Sequence, residues 1–203
     1  MIGRTGGKWW MAALFTVPMV YAVGIAVFFL TGGQTDYINY LVVVLLPVFF
    51  LTAIVFGPLA EELGWRGFGV AHLLETRGVF TTSIMVGTVW TFWHTPLFWA
   101  GSGTSISGMP ISLITILLHF AFVTGVRFLH TWVFKNSGSV LMAFVLLAST
   151  NGTGTALKYF TPNLSDPEYY QIFTIAIAAV WSLVLIGALV TRSRTRGGND
   201  REI

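Results

Sequence analysis

The chain is a succession of apolar runs broken by Gly, Pro, Asn and charged residues. A helix needs about 20 apolar residues to cross ~30 Å of hydrocarbon, so runs of this length predict membrane spans. Six emerge. The first covers Trp9 to Leu30, and the second runs from Ile38 to Ala60 through Pro47 and Pro58. The third covers Phe80 to Ala100, and the fourth Pro110 to Phe134 after a Gly/Ser-rich turn from Gly101 to Gly108. The fifth is short, Gly138 to Asn151, and the sixth runs from Tyr170 to Val190. Proline inside a membrane helix is tolerated where neighbours re-satisfy the carbonyls it frees. The first run is long and lacks a small-residue cleavage pattern behind it, so it is expected to be a retained anchor with the mature chain beginning near Met1. The predicted fold is an all-α polytopic transmembrane bundle. Residues 1–190 are expected to form one domain with a motif-bearing core of about 38–151, and residues 191–203 a polar, basic, disordered cytoplasmic tail.

Composition supports the bilayer: 55% of the 203 residues are hydrophobic and 9% charged, where soluble domains carry about 25% charge. The net charge of +3 comes from basic residues near the ends of runs, which offers nucleic acid no basic face. Arg4, Lys8, Arg66, Arg77, Lys135, Arg192, Arg194, Arg196 and Arg201 fall on one side of a six-span bundle, with Lys158 opposite and Arg127 inside a span. Basic residues stay on the cytoplasmic side, so both termini are expected there. Absence of cysteine removes disulfides, thiolate nucleophiles and Cys-ligated metals.

Ionisable residues at membrane depth are costly and therefore candidates for function. They are Glu61, Glu62 and Arg66 around the end of the second run, His94 in the third, and His119, Arg127 and His130 in the fourth. No histidine precedes a glutamate, so there is no His-Glu-x-x-His zinc motif. All three aspartates, Asp36, Asp166 and Asp200, lie outside the runs, which leaves no aspartyl dyad. Ser139, after Gly138, sits where a helix N-cap belongs. Glutamate and histidine remain.

In Glu61-Glu62-Leu63-Gly64-Trp65-Arg66, Glu62 and Arg66 are four apart on one helix face and can neutralise each other. Glu61 points about 100° away and either marks the membrane interface or serves as a general base. His94 ends an aromatic stretch, Trp90-Thr91-Phe92-Trp93-His94, with Pro96 beyond it. It is either a packed core imidazole or a group that accepts a proton or holds a metal. Arg127 and His130 are expected to snorkel to the cytoplasmic interface, whereas His119 lies deeper and could serve core or site. Asn151 is either a helix C-cap or an amide aimed into the bundle.

The pair Glu61-Glu62 with Arg66, then Trp90-x-x-x-His94, then a run ending in Asn151, resembles the CPBP intramembrane proteases, which include CAAX prenyl endopeptidases and bacteriocin-processing or self-immunity proteins. The likeness covers roughly Pro58 to Asn151. It implies an intramembrane endopeptidase acting on a CAAX-like, leader-peptide or membrane-protein substrate in a prokaryotic cell membrane. Glu61 would activate water, Glu62 and Arg66 would brace the helix, and His94 would polarise the water or the scissile carbonyl. Asn151 would stabilise the oxyanion. Zinc or another divalent metal, if present, would rest on Glu61 and His94. Trp90 stands where the family pattern has phenylalanine, and Leu147 where its third motif has histidine. Leucine cannot ligate, donate or accept, so the alternative is a catalytically silent protein that binds peptides or partners. A further expectation concerns depth: at ~1.5 Å per residue, Glu61 at the end of its run would lie more than about 10 Å from His94 and Asn151. Continuation of the second helix past Glu61 toward Ala71 would close that gap and make residues 67–82 an amphipathic re-entry.

Overall fold

The computed structural model describes residues 6–100 and 112–199, and every regular element among them is a helix. In chain order these are α1 (Gly7–Leu30), α2 (Leu41–Phe56), α3 (Pro58–Gly64), a π-helical turn (Trp65–Gly69), α4 (Val70–Thr76), α5 (Val79–Ala100), α6 (Leu113–Ser137), α7 (Val140–Phe160) and α8 (Asp166–Asn199). The expected turn from Gly101 to Gly108 lies outside the described residues.

Six of these helices are 16 residues or longer and match the six predicted runs. Gly7–Leu30, Leu113–Ser137, Val140–Phe160 and Pro167–Leu189 are long and apolar enough to cross a membrane, and Leu41–Val55 is a shorter apolar helix. The chain is an integral membrane protein built as a polytopic helical bundle. Its outward faces carry large apolar side chains such as Met19, Val44, Phe92, Trp93 and Leu189, the surface that lipid rather than water tolerates.

Three boundaries differ from expectation, each for a local reason. The fifth span does not stop at Asn151: α7 runs on to Phe160, and Gly152 and Gly154 sit buried inside it, where small residues let neighbouring helices approach. Asn151 is therefore mid-helix and not a C-cap. The second run breaks at Gly57, whose φ of −146° and ψ of −75° are non-helical, and restarts with Pro58 in the first turn of α3. Proline has no N–H to give the previous turn but is preorganised for a helix start, so the chain changes direction and stays helical. Helix then persists to Thr76, the continuation past Glu61 that the sequence led us to expect, and residues 67–82 hold the end of the π turn, α4 and the start of α5. Finally, residues 191–199 continue α8 as helix instead of forming a disordered tail.

The apolar core lies where α1, α6, α7 and α8 meet, around Val17, Tyr21, Phe122, Leu146, Phe173 and Ala176. Helix α2 packs along α7, and α5 along α6. The α5–α6 approach is tight at Gly87: a Cβ there would stand 2.8 Å from Thr124 Oγ1 and 3.0 Å from Thr124 Cα. That contact draws the polar face of α5 onto the middle of α6.

Candidate active site

The break at Gly57 places Glu61 in the first turn of α3, where free N–H groups favour a carboxylate. Glu61 and Glu62, one residue apart, diverge by about 100° and enter different surroundings. Glu61 turns toward α5, whereas Glu62 is fully buried and turns toward Arg66 and α6. The predicted Glu62–Arg66 pair is present as a buried i,i+4 ion pair.

Trp90 and His94 are one turn apart on α5 and share a face. The Trp90 indole Nε1–H donates to Glu61 Oε2 at 2.8 Å. The His94 ring stacks on the indole with centroids 3.5 Å apart. His94 Nδ1 lies 3.0 Å from the Trp90 carbonyl oxygen, which can only accept, so this nitrogen carries the proton of the neutral ring. The lone pair is thereby left on Nε2, 3.9 Å from Glu61 Oε1. That distance is too long for a direct hydrogen bond, but one water could bridge it with two bonds of about 2.8 Å meeting at about a right angle. Glu61 is 18% exposed along its side chain and His94 9%, so the pair is recessed yet open on one side.

Arg127 and His130 depart from expectation. Neither snorkels: they are 1% and 0% exposed. Charge balance supplies the reason. Two carboxylates in the bundle need two cations, and Arg66 is only one; Arg127 is the other, with Nη1 3.5 Å from the same Glu62 Oε1 that Arg66 uses. Its guanidinium also lies 4.2 Å over the Trp90 ring, a cation–π contact. His130 Nδ1 donates to the Val126 carbonyl at 2.9 Å. His119 does turn inward: it is buried, with its ring 6.2 Å from that of Trp90 at 27° between planes. Sequence reasoning counted Arg127 among the costly residues but sent it to the interface, and noted Trp90 only as part of an aromatic stretch and as a departure from the family's phenylalanine. A count of intramembrane charges, two acids against one acknowledged base, is the signal that points to Arg127.

Asn151 reaches the site from α7. A Cβ on Gly57 would stand 2.9 Å from Asn151 Nδ2 and 3.7 Å from Glu61 Oε1, so the amide and the carboxylate border one space that glycine keeps open. The depth mismatch between Glu61 and Asn151 is thus absent. Leu147, one turn before Asn151, is 1% exposed and offers only hydrocarbon.

Glu61 and His94 present one oxygen and one nitrogen to the same point, but catalytic zinc sites use three protein ligands. Among the described residues no three His, Asp or Glu side chains gather as a metal shell. The donor set does not fit a firmly held ion.

Residues 43–153, more than half of the chain and including every residue of this cluster, match the family model described as type II CAAX prenyl endopeptidase Rce1-like. The chain belongs to that family. It is also similar to CAAX prenyl protease 2 of Methanococcus maripaludis, with 27% identity over 174 residues that cover 84% of this chain. The chain spans 59% of the length of that curated relative. An apolar groove of about 550 Å³, lined by Pro18, Tyr21, Leu46, Phe50 and Ala156 among others, runs between α1, α2 and α7 on neighbouring surface of this family member.

Proposed function

We propose that the protein is an intramembrane endopeptidase in which Glu61 activates water for attack on a peptide carbonyl. The observation that carries this reading is the approach of Glu61 Oε1 and His94 Nε2 to 3.9 Å, with each group's other polar atom engaged by Trp90. Both free atoms are acceptors, and a water between them can donate one hydrogen to each and keep a lone pair for the carbonyl carbon. Glu61 takes one proton as the new C–O bond forms. The Asn151 amide donates to the developing oxyanion. Collapse of the tetrahedral intermediate breaks the C–N bond, and the proton on Glu61 passes to the leaving nitrogen. One water is consumed, and a carboxylic acid and an amine are released. No step passes through a metal.

The substrate is a peptide reaching the site from the bilayer: a CAAX-like C terminus, a leader peptide or a membrane protein. The name of the Methanococcus relative and the apolar groove both favour a lipid-bearing, CAAX-like peptide. Purified protein in proteoliposomes, given matched peptides with and without a prenyl chain, is expected to cleave the prenylated one faster. Glu61→Gln keeps an acceptor for the Trp90 N–H and loses the base, so it should lower turnover by at least about 10²-fold. Undiminished cleavage by Glu61→Gln refutes the assigned base.

A second reading rests on Leu147, a hydrocarbon side chain one turn from Asn151. It makes the protein a silent peptide binder, and it predicts saturable peptide binding with no cleavage even in the unaltered protein.

A further inference from the structure

We propose that Arg127 is a positioning residue for the base, acting through Trp90. The inference rests on the peptidase reading above for its kinetic consequence, but not for its geometry. Three contacts form a chain across three elements. Arg127 on α6 is fixed by Glu62 on α3 at 3.5 Å and lies 4.2 Å over the Trp90 indole on α5. The indole N–H in turn holds Glu61 Oε2 at 2.8 Å. A planar guanidinium stacks on an indole more readily than an ammonium does and stays charged. The stack opposes rotation of the ring about its side-chain bonds, and rotation would carry Nε1 away from Glu61.

The arrangement selects one carboxylate oxygen. With Oε2 occupied by the indole, Oε1 is the oxygen that faces His94 Nε2 at 3.9 Å. Without the stack, the carboxylate can turn, and either oxygen can meet the imidazole at no fixed distance. The indole also bears on the imidazole directly, since Trp90 stacks on His94 at 3.5 Å and its carbonyl fixes the His94 tautomer. Arg127 therefore governs both partners of the water while touching neither of them. The Glu62 contact supplies the anchor: its carboxylate is shared with Arg66 and is fully buried, so it cannot follow solvent fluctuations.

The test has a kinetic and a spectroscopic arm. Arg127→Met should lower kcat by about 10–100-fold, the usual loss for an outer-shell partner, with KM little changed. Trp90→Phe keeps the ring and loses the N–H, and should do the same. The two losses should not multiply: Arg127→Met in the Trp90→Phe background costs little more, because both remove one constraint. The spectroscopic arm uses indole-¹⁵N-labelled protein, in which Trp90 among the eight tryptophans is identified by its disappearance in Trp90→Phe. Its indole proton, bonded to a carboxylate, should resonate downfield and move upfield in Arg127→Met. Arg127→Lys, which keeps the charge and loses the stack, should show the same upfield movement and serves where the Met variant fails to fold. An unmoved indole signal in the folded variant overturns the proposal, as do kinetic losses that multiply. If no peptide is cleaved by any form of the protein, the peptidase reading fails while the indole signal still decides the role of Arg127.

Discussion

Glu62 is buried with two guanidiniums on one oxygen, and its removal should be the most destabilising single change among the polar residues of the bundle. Arg66, Arg127 and Glu62 are 0%, 1% and 0% exposed. At 3.5 Å and an effective dielectric of 20, one such attraction is worth about 5 kcal/mol before desolvation is subtracted. Glu62→Leu leaves both cations without that partner, and removing one member of a buried ion pair costs about 3–5 kcal/mol. For a chain of this size that corresponds to a fall of about 6–20 °C in Tm. The triple variant Glu62→Leu/Arg66→Met/Arg127→Met removes the stranded charges as well and fills similar volume, so it should recover most of the loss. Thermal unfolding in detergent, followed by tryptophan fluorescence at fixed protein and detergent concentration, reads both. The diagnostic is the reversal: three substitutions should be milder than one. Melting temperatures that fall further with each added substitution, or a Glu62→Leu variant that melts with the unaltered protein, refute the claim that these charges balance one another in a dry interior.

Three other outcomes are expected. Gly57→Ala puts a methyl group 2.9 Å from Asn151 Nδ2, and peptide cleavage should fall by at least about tenfold as the amide is displaced, with a smaller proportional effect on Tm, measured on the same preparation. Gly87→Ala meets Thr124 Cα at 3.0 Å and should destabilise the α5–α6 pair by about 1–3 kcal/mol, read as a lowered Tm. Because no third His, Asp or Glu joins Glu61 and His94 among the described residues, cleavage should survive EDTA, and elemental analysis should find zinc well below one per chain; loss of activity on chelation with recovery on adding zinc refutes the metal-free mechanism.

Much of this fold is readable from hydrophobic run length, because bilayer thickness sets helix length and the backbone has no other way to satisfy itself. The boundaries were less legible where apolarity alone had to locate them. Thr150, Asn151, Thr153 and Thr155 dilute the hydropathy of α7 after Leu147, yet the helix continues to Phe160 because α2 packs along it. The Gly57–Pro58 step was visible as a proline, but whether it bends a helix or resets its direction depends on a φ that composition does not encode. Of the site, Glu61, Glu62, Arg66 and His94 were legible because acids and imidazoles are so costly in hydrocarbon that few positions hold them. Asn151 was ambiguous, since an amide at an apparent helix end has an equally good capping role.

Arg127 shows where reading by position alone fails. Against the predicted run ending at Phe134 it stands near enough to the interface to snorkel, but α6 continues to Ser137 and leaves Arg127 near the middle of the helix. In the bundle, Gly87 lets α5 close onto Thr124, three residues from Arg127, and the route to water is replaced by Trp90 and Glu62. Burial of a guanidinium is then stable only because a carboxylate stands within reach, and that carboxylate is available only because the Gly57–Pro58 step turns Glu62 inward. Two structural glycines and a proline thus decide the fate of a charge on another helix. A Gly87→Leu variant should push α5 away from α6 and free Arg127 toward the interface, and Arg127 should then become reactive to a water-soluble dicarbonyl reagent, read by mass spectrometry of the folded protein. Protection of Arg127 equal to that in the unaltered chain would show that the Glu62 pair alone, and not the close helix contact, keeps this residue inside.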